Sequence, residues 1–140
     1  MMISFHYESG FSLKDEASYA AWIDRVIRSE EKETGEISYI FCDDDYLLTL
    51  NRKYLDHDTL TDIISFDYTE GNTIHGDVYI SVERVGENAL DFDVDTEEEL
   101  RRVMVHGILH YCGYKDKSVA EKEVMRKKEE EKMELFHVEQ

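Results

Sequence analysis

The chain has 140 residues and 16.5 kDa, with 41% apolar and 35% charged side chains, enough for one substantial core and too apolar for a disordered or disulfide-built protein. With Lys+Arg 16 against Asp+Glu 33, the formal charge of -17 disfavours attraction of polyanions by a generally basic surface. Apolar runs such as Tyr46-Leu47-Leu48 and Val103-Met104-Val105 fall far short of the roughly 20 residues that span a bilayer, so no membrane partner is expected.

The start, Met1 to His6, has no basic segment followed by a long apolar one, and Cys42 and Cys112 lie far apart without a CxxC spacing. Both points set the expectation of a cytoplasmic protein whose cysteines are small structural side chains.

Ile3, Phe5 and Tyr7 alternate with polar residues, the period of a half-buried strand ending before Ser9-Gly10. Asp15 or Ser12 can cap a helix carrying Tyr19, Trp22, Ile23, Val26 and Ile27 at spacings of three and four, with its end expected near Gly35. A second strand through Ile37, Tyr39 and Phe41 closes at Asp43-Asp44-Asp45, acids that suit the first turn of a helix through Tyr46, Leu47, Leu50 and Tyr54. After a polar loop, Asp62 to Tyr68 and Gly76 to Ser81 read as two further strands around a turn at Gly71, close enough to pair antiparallel. Acids at Asp95 to Glu99 open a helix with a stripe of Leu100, Val103, Met104, Ile108 and Tyr111, which Gly113 stops. Ser118 begins a last helix to Phe136, whose dense Glu-Lys stretch reads as a solvated face. The expected fold is therefore α+β: one compact domain over residues 1–140, a small mixed four-stranded sheet covered by about five helices.

One constellation carries chemistry. His106 and His110 stand four apart on the helix, on one face and within reach of one metal ion, and Gly113 can turn the chain so that Asp116 meets the same ion. Two nitrogens and a carboxylate suit zinc, one per chain, with a fourth position left for water; a carboxylate also admits harder divalent ions. Zinc proteases place a glutamate beside the first histidine as general base, and here that position is Gly107.

The stretch His106 to Tyr114 resembles the HGxLHxxGY signature of the YbeY family, bacterial metal-dependent endoribonucleases of rRNA maturation. Leu50-Asn51, Tyr54, Thr61 to Phe66 and Gly76-Asp77 are similar, in order and spacing, to that family's LN…Y, TDVLSF and GD segments. The resemblance covers roughly residues 41 to 136. Two positions differ: Asp116 stands where the family usually has a third histidine, and Leu55 where it usually has an arginine after the tyrosine.

The resemblance implies hydrolysis of single-stranded RNA in 16S rRNA processing and ribosome quality control, with ribosomes or small-subunit precursors as partners and no role on DNA. His106, His110 and Asp116 would act through the metal, and Ser65, Asp77, Tyr114, Arg52 and Lys115 are the candidates for substrate contact. Arg101, Arg102 and Lys117 also flank the motif, as steering groups or ordinary surface ion pairs. Two other readings keep the metal: a non-catalytic ribosome-assembly factor, and a zincin-like peptidase lacking its base. His75 reads as a surface histidine rather than a fourth ligand.

Overall fold

Alternation of side chains sets the sheet. The computed structural model describes residues 2–57 and 59–137, and in it β1 (Met2–Tyr7), β2 (Glu33–Cys42), β3 (Ile63–Asp67) and β4 (Thr73–Ser81) form one sheet in the order β1-β2-β4-β3. The first three positions run parallel and β3 closes one edge antiparallel to β4, as the short turn between them requires. Five helices surround the sheet: α1 (Glu16–Ser29), α2 (Asp44–Leu55), α3 (Val82–Phe92), α4 (Thr96–Tyr111) and α5 (Val119–Glu134), followed by a 3-10 turn over Leu135–His137. The expected α+β architecture with a mixed four-stranded sheet is what forms.

Helix starts follow local polar chemistry. Asp15, Asp43 and Ser81 cap α1, α2 and α3 by accepting from the backbone N–H of Ser18, Tyr46 and Arg84. Ser118 and Glu121 close a reciprocal capping box on α5.

The expected end of α1 near Gly35 is corrected. The helix stops at Ser29, because Glu31 adopts φ 60° and Lys32 turns its N–H back to the Ile27 carbonyl. Gly35 instead lies within β2, pressed against the ring of His75, which leaves no room for a side chain. β3 ends at Asp67, one residue before the expected Tyr68.

One sheet face meets α1 and α4 over the main core of Trp22, Ile23, Tyr39, Phe41, Met104 and Ile108. The other face is covered over β3 and β4 by α2, through Leu47, Cys42 and Ile64. Tyr46 and Tyr54 of α2 are exposed, so its expected apolar stripe narrows to Leu47 and Leu50. Cys42 is buried and donates its S–H to the Ile80 carbonyl at 3.4 Å, and both cysteines are free, in keeping with their structural reading.

Two glycines let α4 lie close to the sheet. A Cβ on Gly107 would stand 3.1 Å from Ile63 Cδ1 and 3.3 Å from Val78 Cγ1. A Cβ on Gly76 would enter the ring of Tyr111, whose hydroxyl donates to the carbonyls of Asp77 at 2.8 Å and Phe66 at 3.1 Å. α4 is thereby locked to β3 and β4 by contacts at both ends of its last turn.

α5 carries the expected solvated face and, beyond it, a buried stripe. Met125, Glu129 and Lys132, spaced four and three, face inward and are buried. The Lys132 ammonium donates to Ser29 Oγ and Glu30 Oε2, each at 2.8 Å, and Trp22 Nε1 donates to the Lys132 carbonyl at 2.8 Å. Burial alone would raise the Glu30 carboxyl, but hydrogen bonds from Lys132 and Tyr114 and the charge of Lys128 bring it below its ordinary value.

Lys132→Ala is expected to cost about 2 kcal/mol, because the half-buried Glu30 carboxylate loses the nearer of its two lysines; thermal unfolding measures it. A depressed carboxyl stabilises the fold above the ordinary glutamate range and ceases to as pH falls through its folded-state value. The acid limb of the wild-type stability curve should therefore be steeper than that of Lys132→Ala.

Candidate metal centre

The site is built at the C-terminal end of α4. The helix ends in a Schellman turn: Tyr114 N–H donates to the Leu109 carbonyl and Gly113 N–H to the His110 carbonyl, each at 3.0 Å. Gly113 takes φ 105°, a conformation that a side chain would strain, and this turn sends the chain back along the helix. Asp116 returns beside both histidines. His106 Nε2 lies 3.0 Å from His110 Nε2 and 3.2 Å from Asp116 Oδ2, and His110 Nε2 lies 3.5 Å from the same oxygen. These residues are the metal-capable cluster among the described residues.

The outer ring nitrogens decide what these atoms can do. His106 Nδ1 is 2.6 Å from Glu129 Oε2, and His110 Nδ1 is 3.0 Å from the Tyr114 carbonyl. A carboxylate and a carbonyl can only accept, so each Nδ1 carries the proton and each Nε2 of a neutral ring presents a lone pair. Two lone pairs and a carboxylate oxygen then face one another within hydrogen-bond distance, a repulsive arrangement that a proton or a cation must relieve. This donor set fits a divalent ion, and the outer acceptors hold both rings in the tautomer that a metal needs.

Side-chain exposures of 21% for His106, 31% for His110 and 38% for Asp116 leave the cluster open to solvent on one side. That suits a catalytic site, where a coordination position stays free, better than a closed structural one. The surroundings are strongly negative: burial disfavours a charged His106, yet the hydrogen bond and charge of Glu129, with Asp116 and Asp62, raise its pKa above the ordinary value.

A cavity of about 290 Å³ opens beside the cluster, walled by Asp62, Phe92, Arg102, Arg126 and Glu129 together with His106 and Asp116. Arg102 Nη1 pairs with Glu129 Oε1 at 3.2 Å, so one carboxylate bridges a guanidinium and His106. Sequence reasoning passed over Glu129. The signal was its place on the Met125-Glu129-Lys132 stripe, where an acid occupies a position that the helix period turns inward.

The other expected residues are dispersed. Lys115 is exposed next to Asp116, and Lys117 is exposed in the same loop. Ser65 is half-buried on β3, on the side of the Tyr111 hydroxyl. The Asp77 carboxylate lies on the opposite sheet face with Glu36, Ser38 and His75, and Arg52 is exposed on α2, which covers that same side. Tyr114 donates its hydroxyl to Glu30 at 2.8 Å and lies under the Lys128 ammonium. Arg101 stacks on Phe136, whereas Arg102 faces the cavity. His75 Nδ1 accepts from the Glu36 N–H at 3.0 Å, away from the cluster.

The family model described as Endoribonuclease YbeY matches residues 4–137. This chain belongs to the YbeY family. A relative from Flavobacterium psychrophilum, named Endoribonuclease YbeY, is 65% identical over 99% of each chain. One of the same name from Christiangramia forsetii is 59% identical over 99% of this chain and 96% of its own. A solution structure from Thermotoga maritima superimposes with a TM-score of 0.72 at 26% identity, covering 96% of this chain and 89% of that one. The family reading also accounts for Gly107: it faces Ile63 and Val78, so a protease-type glutamate there would collide with the sheet instead of reaching the metal.

Replacing Glu129 by Gln, which keeps its shape but not its charge, is expected to weaken binding of a divalent metal about 10-fold or more. Titration of the metal-free protein with zinc measures this, and unchanged affinity would deny Glu129 any part in holding His106.

Proposed function

We propose that this chain is a metal-dependent endoribonuclease that hydrolyses phosphodiesters of single-stranded RNA in rRNA processing, 16S maturation and ribosome quality control, as one domain over residues 1–140. The observation that carries the reading is the convergence of two histidine lone pairs and one carboxylate oxygen at a solvent-open position. Membership of the YbeY family supports RNA as the substrate, since relatives at 65% identity bear the endoribonuclease name.

His106, His110 and Asp116 would hold the ion, and two nitrogens with one oxygen suit zinc. When bound, such an ion lowers the pKa of water and draws electron density from a phosphodiester. The protein's own groups do the rest. Glu129 and the Tyr114 carbonyl keep both imidazoles neutral and oriented, and Asp116 offsets one positive charge of the ion.

The chain's charge of -17 repels RNA at long range, so binding depends on local cations. Lys122 and Arg126 stand at the rim of the site beside His106 and Asp116, and Lys115 flanks Asp116 in sequence. In this reading they contact the phosphates on either side of the scissile bond. Ribosomes or small-subunit precursors are the proposed partners and the cytoplasm the proposed place of action. No helix among the described residues is long and apolar enough to cross a membrane.

The test is cleavage of a labelled single-stranded RNA with and without chelator, beside His110→Ala and a peptide control. The expected result is RNA cleavage that chelator abolishes and zinc restores, at least about 100-fold slower in His110→Ala, with no peptide hydrolysis. The variant should melt near the wild-type temperature, because the α4 stripe packs independently of the metal. A metal-loaded wild type that leaves RNA intact would instead favour a non-catalytic assembly factor.

A further inference from the structure

We infer that Asp62 is the general base of this reaction, the group that takes the proton from the water that attacks phosphorus; this rests on the ribonuclease reading above. Placement is the first reason. Ile63 Cδ1 lies 3.1 Å from the Cβ position of Gly107, the residue that follows His106, so the start of β3 docks on α4 at the level of the first histidine. Asp62 directly precedes that contact and lines the same cavity as His106 and Asp116.

Asp62 is held at both backbone and side chain. Ser81 N–H donates to the Asp62 carbonyl at 3.0 Å, fixing the backbone to the end of β4. Asn88 Nδ2, from α3, donates to Asp62 Oδ2 at 3.2 Å and orients the side chain. A base positioned by a donor is the arrangement that proton transfer from a bound water needs.

The other carboxylates of the cavity are engaged by neighbours or stand away from the cluster. Asp116 belongs to the ligand cluster. Glu129 is engaged by His106 through one oxygen and by Arg102 through the other. Glu99 lies two helical turns before His106, about 10 Å along α4, and is only 3% exposed, with Arg102 Nε at 3.8 Å. Asp62 is half-buried, so water reaches it from the open side of the cavity. Burial raises its pKa, with His106 and Arg84 opposing, and that is the direction that strengthens a carboxylate as a base.

The step balances without a further reactant. A water O–H bond breaks and its proton passes to an Asp62 oxygen, while the water oxygen forms the new bond to phosphorus. The P–O bond to the leaving ribose oxygen breaks with its electron pair, and that oxygen takes a proton from solvent. Asp62 then releases its own proton to solvent.

The experiment compares steady-state cleavage of a labelled single-stranded RNA by zinc-loaded wild type, Asp62→Asn and Asp62→Glu, with metal content and melting temperature measured on each. Asn is isosteric and can still accept from Asn88. It should lower kcat at least about 100-fold while KM stays within about threefold, with zinc content and melting unchanged. Asp62→Glu, which retains a carboxylate, should recover part of kcat, and it carries the test alone should the Asn variant not fold, with kcat then expected at least about tenfold down. An Asn variant with kcat near wild type overturns the inference. So does loss of zinc from it, which would make Asp62 a metal ligand, or a rise in KM alone, which would make it a binding residue. An inactive zinc-loaded wild type defeats the ribonuclease reading itself, and Asp62's role with it.

Discussion

Three electron-rich atoms, His106 Nε2, His110 Nε2 and Asp116 Oδ2, are held with separations of 3.0 to 3.5 Å. In neutral rings these atoms repel one another, and the surrounding fold supplies what keeps them there. The histidines share a face because they stand four apart on α4, and α4 is fixed to the sheet by the close approach at Gly107 and Gly76 and by the Tyr111 hydroxyl. Asp116 returns because the turn at Gly113 lets the backbone take positive φ. The same turn offers the Tyr114 carbonyl to His110, so one loop brings Asp116 to the cluster and orients a histidine of it.

The second constraint is electrostatic. Glu129 reaches His106 from α5 and is anchored by Arg102, while Lys132 on the same helix binds Glu30 at the end of α1. An inward charged stripe of this kind is costly to desolvate and gains its stability from being fully paired. α5 thus closes the core and holds His106 with one set of charges. Its Lys and Glu content, which resembles a solvated helix in composition, is divided between an exposed face and this paired interior.

The two faces of the sheet divide the expected substrate residues. β3 and β4 send Ile63, Ser65 and Val78 towards α4, whereas Ile64, Asp77 and Tyr79 point the other way, under or beside α2. Family motifs adjacent in sequence, such as Gly76-Asp77, therefore serve different places. Gly76 admits the Tyr111 ring beneath α4, and Asp77 puts its carboxylate on the far face while its carbonyl receives the Tyr111 hydroxyl.

Period, caps and an HxxxHxxGxxD spacing are local properties that neighbouring residues settle between themselves, so the four strands, the starts of α1, α2, α4 and α5 and the candidate metal cluster were legible in the chain, whereas α3 was not. The early end of α1 was not legible in this way: Glu31 takes a left-handed conformation that glycine usually signals, and Gly35, which looked like the stop, serves contact with His75 across the sheet. Tertiary packing selects the further acids that stand around the candidate cluster. Glu129 is 23 residues from His106, and Asp62 is brought to its level by the docking of β3 on Gly107. Such meetings depend on how helices and strands pack, and packing depends on the whole buried surface rather than on the spacing of any one segment.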